Sequence, residues 1–132
     1  MSQKNVEIVQ GIFDRWATGD FGAGLTSLDP DVGFVVRHPF PEAVETVGID
    51  GIREYMRGFL DNWVSYAVEA RRFRAAGDIV VADAVQRGEG KASGIEMEQE
   101  FFMLFTFRGG KIVRIESILE RDQALEAAGL WE

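Results

Sequence analysis

The first third of the chain has apolar residues at helical spacing. Between Val6 and Trp16 they recur every three or four positions, and Gly19 follows where a C-cap glycine would lie. This pattern predicts an amphipathic helix over residues 4–18.

The next segment mixes helical and strand patterns. We predict a short helix over residues 21–28, ended by Asp29-Pro30-Asp31, and then a first strand over residues 32–37. Residues 42–48 are predicted to form a loop over the mouth of whatever the domain encloses. A third helix, over residues 51–64 with Asp50 as its N-cap, presents a broad apolar face.

The second half of the chain has the residue preferences of β-strands. Strands are predicted over residues 66–75 and 79–87, followed by a ribbon of two long antiparallel strands over residues 98–121. Arg108-Gly109-Gly110-Lys111 joins the ribbon strands, because glycine supplies the positive φ that a tight hairpin needs. A short helix over residues 122–128 ends the chain.

Both faces of this ribbon are apolar, so each face needs a cover. Helices followed by a run of antiparallel strands indicate the α+β class, here a strongly curved, mixed or antiparallel sheet wrapped around three helices as a cone-shaped barrel. One face is assigned to the interior of the cone, with Phe101, Met103 and Phe105 opposite Val113, Ile115, Ser117 and Leu119. The other is assigned to a homodimer interface, with Phe102, Leu104, Thr106, Arg114, Glu116 and Ile118.

The length, charge and residue counts of the chain exclude several classes of function. The 132 residues form one domain, residues 1–132, and the net charge of -8 argues against a nucleic-acid partner. With no cysteine and one histidine, thiolate chemistry is excluded and no metal site is expected. No nucleotide motif is present, so no cofactor is expected. No membrane span or signal-peptide pattern is seen, and we expect a cytoplasmic protein.

Several short motifs resemble a known family when taken in order and spacing. The chain resembles the SnoaL-like, ketosteroid-isomerase-related branch of the nuclear-transport-factor-2-like superfamily, which has a cystatin-like topology. The resemblance covers almost the whole chain and rests on NVEIV at 5–9, WATGD at 16–20, LDPDV at 28–32, GIDGI at 48–52, FTFRGGKI at 105–112 and ERDQALEAAG at 120–129.

The resemblance implies a dimer formed through the outer face of the sheet, and it leaves the reaction open because the superfamily hosts many activities. Steroid isomerases of this branch use an aspartate base, a tyrosine and a second acid. Those positions fall on His38, Ile12 and Met103 here. Since Ile12 and Met103 cannot donate a hydrogen bond to an enolate oxygen, ketosteroid isomerase activity itself is not expected.

Two residues are candidate proton carriers. His38 is the only histidine, and the family geometry points its position inward; the alternative is a strand-end histidine bonded to the backbone. Asp83 shares a face with Val81 and Val85, which the resemblance turns toward the cavity, where His38 or Arg37 would be its partner. Alternatively, Asp83 lies at a sheet edge or dimer face and pairs with an arginine such as Arg114.

The remaining candidates would form the wall of a pocket for a small apolar molecule; the alternative is ordinary core packing. These ligand-binding candidates are Phe13, Trp16, Arg37, Tyr55, Phe59, Trp63, Phe101, Met103, Phe105 and Ser117. Three functions therefore remain open: a cofactor-free acid–base enzyme such as an isomerase, hydratase or cyclase, a non-catalytic binding module, and a structural dimer with a filled cone. An open cavity without paired titratable groups would favour the binding module.

Overall fold

The computed structural model describes residues 2–21, 25–37 and 44–130. Three helices and six strands make up this part of the chain, together with a single 3-10 turn at Leu25–Ser27. The elements are α1 Ser2–Trp16, β1 Leu28–Val36, β2 Val44–Val47, α2 Ile49–Leu60, β3 Trp63–Ala76, β4 Ile79–Gly90, β5 Glu96–Arg108, β6 Lys111–Ile118 and α3 Arg121–Ala128. Within the described ranges, no helix is long and apolar enough to cross a membrane.

The six strands form one curved sheet in the order β2-β1-β6-β5-β4-β3. Neighbouring strands are antiparallel except β1 and β6, which run parallel. The predicted α+β class with a mixed sheet is therefore confirmed. Helices α1 and α2 pack on the concave face, whereas α3 covers part of the convex face.

Several elements differ from the sequence predictions. Of the predicted helix over residues 21–28, the described part contains only the 3-10 turn Leu25–Ser27, and the N-cap of α2 is Gly48 rather than Asp50. Val44–Val47 is not loop but an edge strand, because its alternating residues pair with β1. Strand β1 begins at Leu28, so Pro30 lies inside it, where the register shifts between Leu28 and Gly33 and the missing N–H is tolerated. Trp63 begins β3 rather than ending α2, since it pairs with Gly90 of β4.

The predicted hairpin of the ribbon is confirmed. Gly109 and Gly110 have φ angles of 60° and 80°, which are strained for other residues. Just beyond the turn, the register shifts so that Thr106 faces Arg114 while Phe107 faces Ile112. Val113 is the extra residue of this bulge, so its predicted place in the cavity wall is wrong.

A second bulge lies in β3 and changes which side chains face inward. Ala70 pairs with Ala84 and Arg72 pairs with Asp83, which leaves Arg71 as the extra residue. Beyond the bulge, Phe73 packs in the concave core and the arginines on either side of it face outward. The convex side of this corner is therefore charged.

Candidate functional site

A cavity of about 580 Å³ lies between the concave face of the sheet and helices α1 and α2. Its walls are almost entirely apolar or aromatic. The lining residues are Ile12, Trp16, Phe21, Leu28, Phe34, Val36, Ile52, Tyr55, Met56, Phe59, Asn62, Trp63, Tyr66, Val68, Gln86, Met97, Gln99, Phe101, Met103, Phe105, Ile115 and Ser117. This volume is in the range of about 300–1,000 Å³ typical of small-molecule sites.

The cavity has a buried end and an accessible end. Phe105 and Ile115 are buried at the inner end, whereas Asn62 is exposed and Trp63 and Met97 are half-buried. The more exposed end of the cavity therefore lies between the end of α2 and the β4–β5 hairpin.

Aromatic rings from α2 and β3 form one wall near this entrance. The Phe59 ring stacks on Tyr55 with centroids 5.9 Å apart and meets the Tyr66 ring edge-on at 5.0 Å. The Trp63 and Tyr66 centroids lie 5.7 Å apart. Because each ring is held by its neighbours, the wall presents a fixed aromatic surface to a ligand.

Gly88 gives the Trp63 indole its place in this wall. A Cβ added at Gly88 would lie 2.7 Å from Trp63 Cε3 and 2.8 Å from the Ser65 carbonyl oxygen. Any larger residue would have to displace the indole or the neighbouring strand, so Gly88 is required for this close approach.

A short chain of hydrogen bonds begins at Tyr66 of the aromatic wall and runs across the sheet from β3 through β4 to β5. The Tyr66 hydroxyl donates to Gln86 Oε1 at 2.6 Å, and Gln86 Nε2 donates to Gln99 Oε1 at 2.8 Å. These three residues are the main polar groups of an otherwise apolar wall, and all three are neutral.

Burial raises the pKa of the Tyr66 hydroxyl well above its ordinary value, and the neighbouring Tyr55 raises it further. Tyr66 is therefore protonated at physiological pH and serves as a hydrogen-bond donor. None of the described lining residues carries a charge, and only the two tyrosines among them titrate. In the described part of the chain, no cluster of His, Asp or Glu could hold a metal ion.

Most of the predicted wall residues do line the cavity. They are Trp16, Tyr55, Phe59, Trp63, Phe101, Met103, Phe105 and Ser117. Phe13 does not: it is only 4% exposed and packs behind the wall, with its ring 4.9 Å from Trp16 and 6.0 Å from Phe105. Its helical spacing correctly predicts the inward face of α1. A residue packed in the core and a residue lining a cavity have the same apolar pattern in sequence, so the pattern does not distinguish them.

The predicted role of Arg37 at the cavity is wrong. Arg37 Nε donates to Glu116 Oε2 at 2.7 Å, and Glu116 pairs with Leu104 on the convex face of the sheet. Strand alternation places residues next to each other on opposite faces, so Arg37 faces away from Val36, which lines the cavity.

The prediction that Asp83 faces the cavity is also wrong. Asp83 pairs across strands with Phe102, which packs against the convex cluster, and Arg74 Nη2 donates to Asp83 Oδ2 at 3.1 Å. Asp83 is therefore paired with an arginine, as in the alternative interpretation, but the partner is Arg74 and not Arg114, whose Nε lies 3.2 Å from Glu116 Oε1. His38 lies outside the described residues, and its role as a proton carrier stays a prediction.

Sequence reasoning missed Tyr66, Gln86 and Gln99. Strand alternation could have identified two of them. Gln86 lies an even number of residues from Ala82 and Ala84, and Gln99 lies two residues from Phe101, so both share the concave face with these core residues. Once the ribbon face with Phe101 was assigned to the interior, extending it two residues back would have identified Gln99.

Comparison with known proteins agrees with this architecture. The family model of the SnoaL-like domain matches residues 9–115, and the chain belongs to this family. No curated protein matches the chain significantly.

Many solved structures share the fold. An NTF2-like protein of unknown function from Burkholderia pseudomallei is 17% identical, with a TM-score of 0.78 over 93% of this chain and 95% of that one. TerC, co-crystallised with polyporic acid, is 22% identical, with a TM-score of 0.76 over 96% and 98% of the two chains. A Catenulispora acidiphila protein with a ketosteroid isomerase-like fold, in complex with trimethylamine, is 21% identical, with a TM-score of 0.74 over 96% and 97%. At these identities the likeness shows the fold alone.

Proposed function

We propose that this SnoaL-like protein binds a neutral, flat, aromatic small molecule in the cavity of its cone. The observation that carries the proposal is the cavity of about 580 Å³ whose described lining is aromatic, aliphatic or neutral-polar, without a charged side chain. Such a surface gains free energy by removing apolar ligand area from water, at about 25 cal/mol per Å².

The same lining disfavours charged ligands. An anion or cation entering the cavity would lose its hydration, and no described lining residue offers an opposite charge in exchange. The aromatic wall formed by Tyr55, Phe59, Trp63 and Tyr66 instead suits the face of a ring system.

Among the residues that the structure describes, the side chains support binding better than acid–base turnover. Proton transfer near neutral pH needs a group with a pKa near the working pH, and the raised pKa of Tyr66 moves that group further away. Asp83, the predicted carboxylate, is bound to Arg74 on the other face. The co-crystallisation of the similar protein TerC with polyporic acid supports small-molecule binding by this fold.

The test is a titration with 1-aminoanthracene, a neutral fluorescent probe with three fused rings. We expect saturable binding with a micromolar dissociation constant and energy transfer from the cavity residues Trp16 and Trp63. Ser117→Leu adds bulk to the buried inner wall and should weaken binding by about tenfold or more.

Thr106→Leu is the matched control. Thr106 pairs with Arg114 in the same two strands but on the convex face, so its substitution should leave the dissociation constant unchanged. Absence of probe binding by the folded wild-type protein would overturn the proposal. Equal loss of binding in both variants would place the probe outside the cavity and would also overturn it.

A further inference from the structure

We propose that the Tyr66–Gln86–Gln99 hydrogen-bond chain selects ligands that carry an acceptor oxygen, such as a ring carbonyl, on the edge of the aromatic system. This inference rests on the proposed function and names the chemical class of the ligand. Gln99 is the residue that contacts the ligand, and Tyr66 and Gln86 are positioning residues.

The hydrogen bonds within the chain leave one donor group available. Gln86 is 7% exposed, and both ends of its amide are used, with Oε1 accepting from Tyr66 and Nε2 donating to Gln99. Gln99 uses Oε1 to accept from Gln86. Among the described residues, none accepts a hydrogen bond from Gln99 Nε2, although an amide nitrogen carries two N–H donors.

Gln99 is placed where a bound ring system would meet this donor. It lines the cavity directly opposite Gln86 in the β4–β5 register, and the same face of β5 continues inward to Phe101 and Met103. A ligand on these apolar side chains would displace water from Gln99 Nε2. A donor that loses its water and gains no new acceptor is unfavourable, so a ligand with an acceptor oxygen is favoured over a hydrocarbon.

Tyr66 sets the direction in which this donor points. Its hydroxyl is protonated and donates to Gln86 Oε1, which turns the Gln86 amide so that Nε2 faces Gln99. Gln86 Nε2 in turn holds Gln99 Oε1, which leaves Gln99 Nε2 for the ligand. Loss of the Tyr66 hydroxyl would free the two amides to rotate and weaken the preference without changing the apolar walls.

The experiment compares 9-fluorenone with fluorene, two flat tricyclic molecules that differ by a carbonyl group in place of a methylene group. Their dissociation constants are measured by equilibrium dialysis for the wild-type protein and its variants. We expect the wild-type protein to bind fluorenone about tenfold more tightly than fluorene.

Gln99→Glu is the sharpest variant, because a carboxylate keeps the acceptor for Gln86 Nε2 and removes the free donor. It should abolish the preference for fluorenone, as should Gln99→Met, which keeps the length of the side chain and removes its amide. Tyr66→Phe keeps the ring and removes the hydroxyl, so it should lower the ratio of fluorenone to fluorene affinity, whereas a purely structural role would weaken both affinities equally. Met97→Leu, an apolar change on the same strand face, should preserve the preference.

Equal affinity of the wild-type protein for the two probes would overturn this inference while leaving the proposed function intact. Persistence of the full preference in both Gln99 variants would also overturn it. Failure of the wild-type protein to bind either probe would overturn the proposed function, and this inference with it.

Discussion

The two faces of the central sheet both carry apolar side chains, but helices cover them differently. On the convex face, Val81, Leu104 and Ile118 pack directly against Ala124 and Ala128 of α3. On the concave face, α1 and α2 also pack against the strands but leave a cavity of about 580 Å³ between themselves and the sheet. The small alanines Ala124 and Ala128 of α3 permit the close packing on the convex face.

The polar groups of the two faces also differ. The convex face holds ion pairs such as Arg74 with Asp83 and Arg37 with Glu116. The concave face holds neutral amides and a protonated tyrosine. Charges remain on the side that keeps some contact with water, as the 23% exposure of the Asp83 side chain shows. This difference between the two faces supports the proposal that the concave face takes uncharged ligands.

Truncating one buried residue on each face should give the largest difference in the free energy of unfolding. Leu104→Ala, at a side chain only 1% exposed beneath α3, opens a closed void and should lower the free energy of unfolding by about 3 kcal/mol. Met103→Ala only enlarges a cavity that already exists, so it should cost at least about 1 kcal/mol less. Urea unfolding of both variants measures this, and equal losses would contradict the contrast between a packed and an open face.

Asp83→Asn should have a smaller effect, confined to stability. Arg74 would lose its charged partner at a pair that is 14% and 23% exposed, and the free energy of unfolding should fall by about 1–2 kcal/mol. Affinity for 1-aminoanthracene should not change, because Asp83 faces away from the cavity. Asp50→Asn, at a more exposed pair with Arg53, is the control and should change stability very little. A large loss of probe binding in Asp83→Asn would contradict the assignment of Asp83 to the convex face and indicate that it contacts the ligand.

Tyr66→Phe should have the smallest effect at neutral pH. The free energy of unfolding should fall by about 1 kcal/mol, because the hydrogen bond to Gln86 is lost. The pKa of Tyr66 is raised in the folded state, so the protonated hydroxyl favours folding. This contribution is fully present below the unfolded-state pKa of about 10 and is lost as pH rises above it.

The measurement is the free energy of unfolding of both proteins between pH 7 and about pH 11. The wild-type protein should lose stability above pH ~10 more steeply than Tyr66→Phe does, so that the two curves converge. Parallel curves would show that the Tyr66 hydroxyl is not buried in the concave wall.

Local patterns in the sequence determined much of this fold. The Gly109-Gly110 turn and the alternation of Phe101, Met103 and Phe105 with Leu104 specify the ribbon and its two faces, because backbone conformation and side-chain period are properties of the local chain. The order of helices and strands likewise predicted the α+β class correctly.

Only the tertiary structure decided which apolar face of β4 turns inward. Ala82 and Ala84 on one side and Val81, Asp83 and Val85 on the other are both plausible core faces by alternation. Pairing with β5 and the cover provided by α3 placed the second set outside. The bulge at Arg71 and the meeting of Tyr66, Gln86 and Gln99 also depend on pairing between distant strands, which a local pattern does not encode.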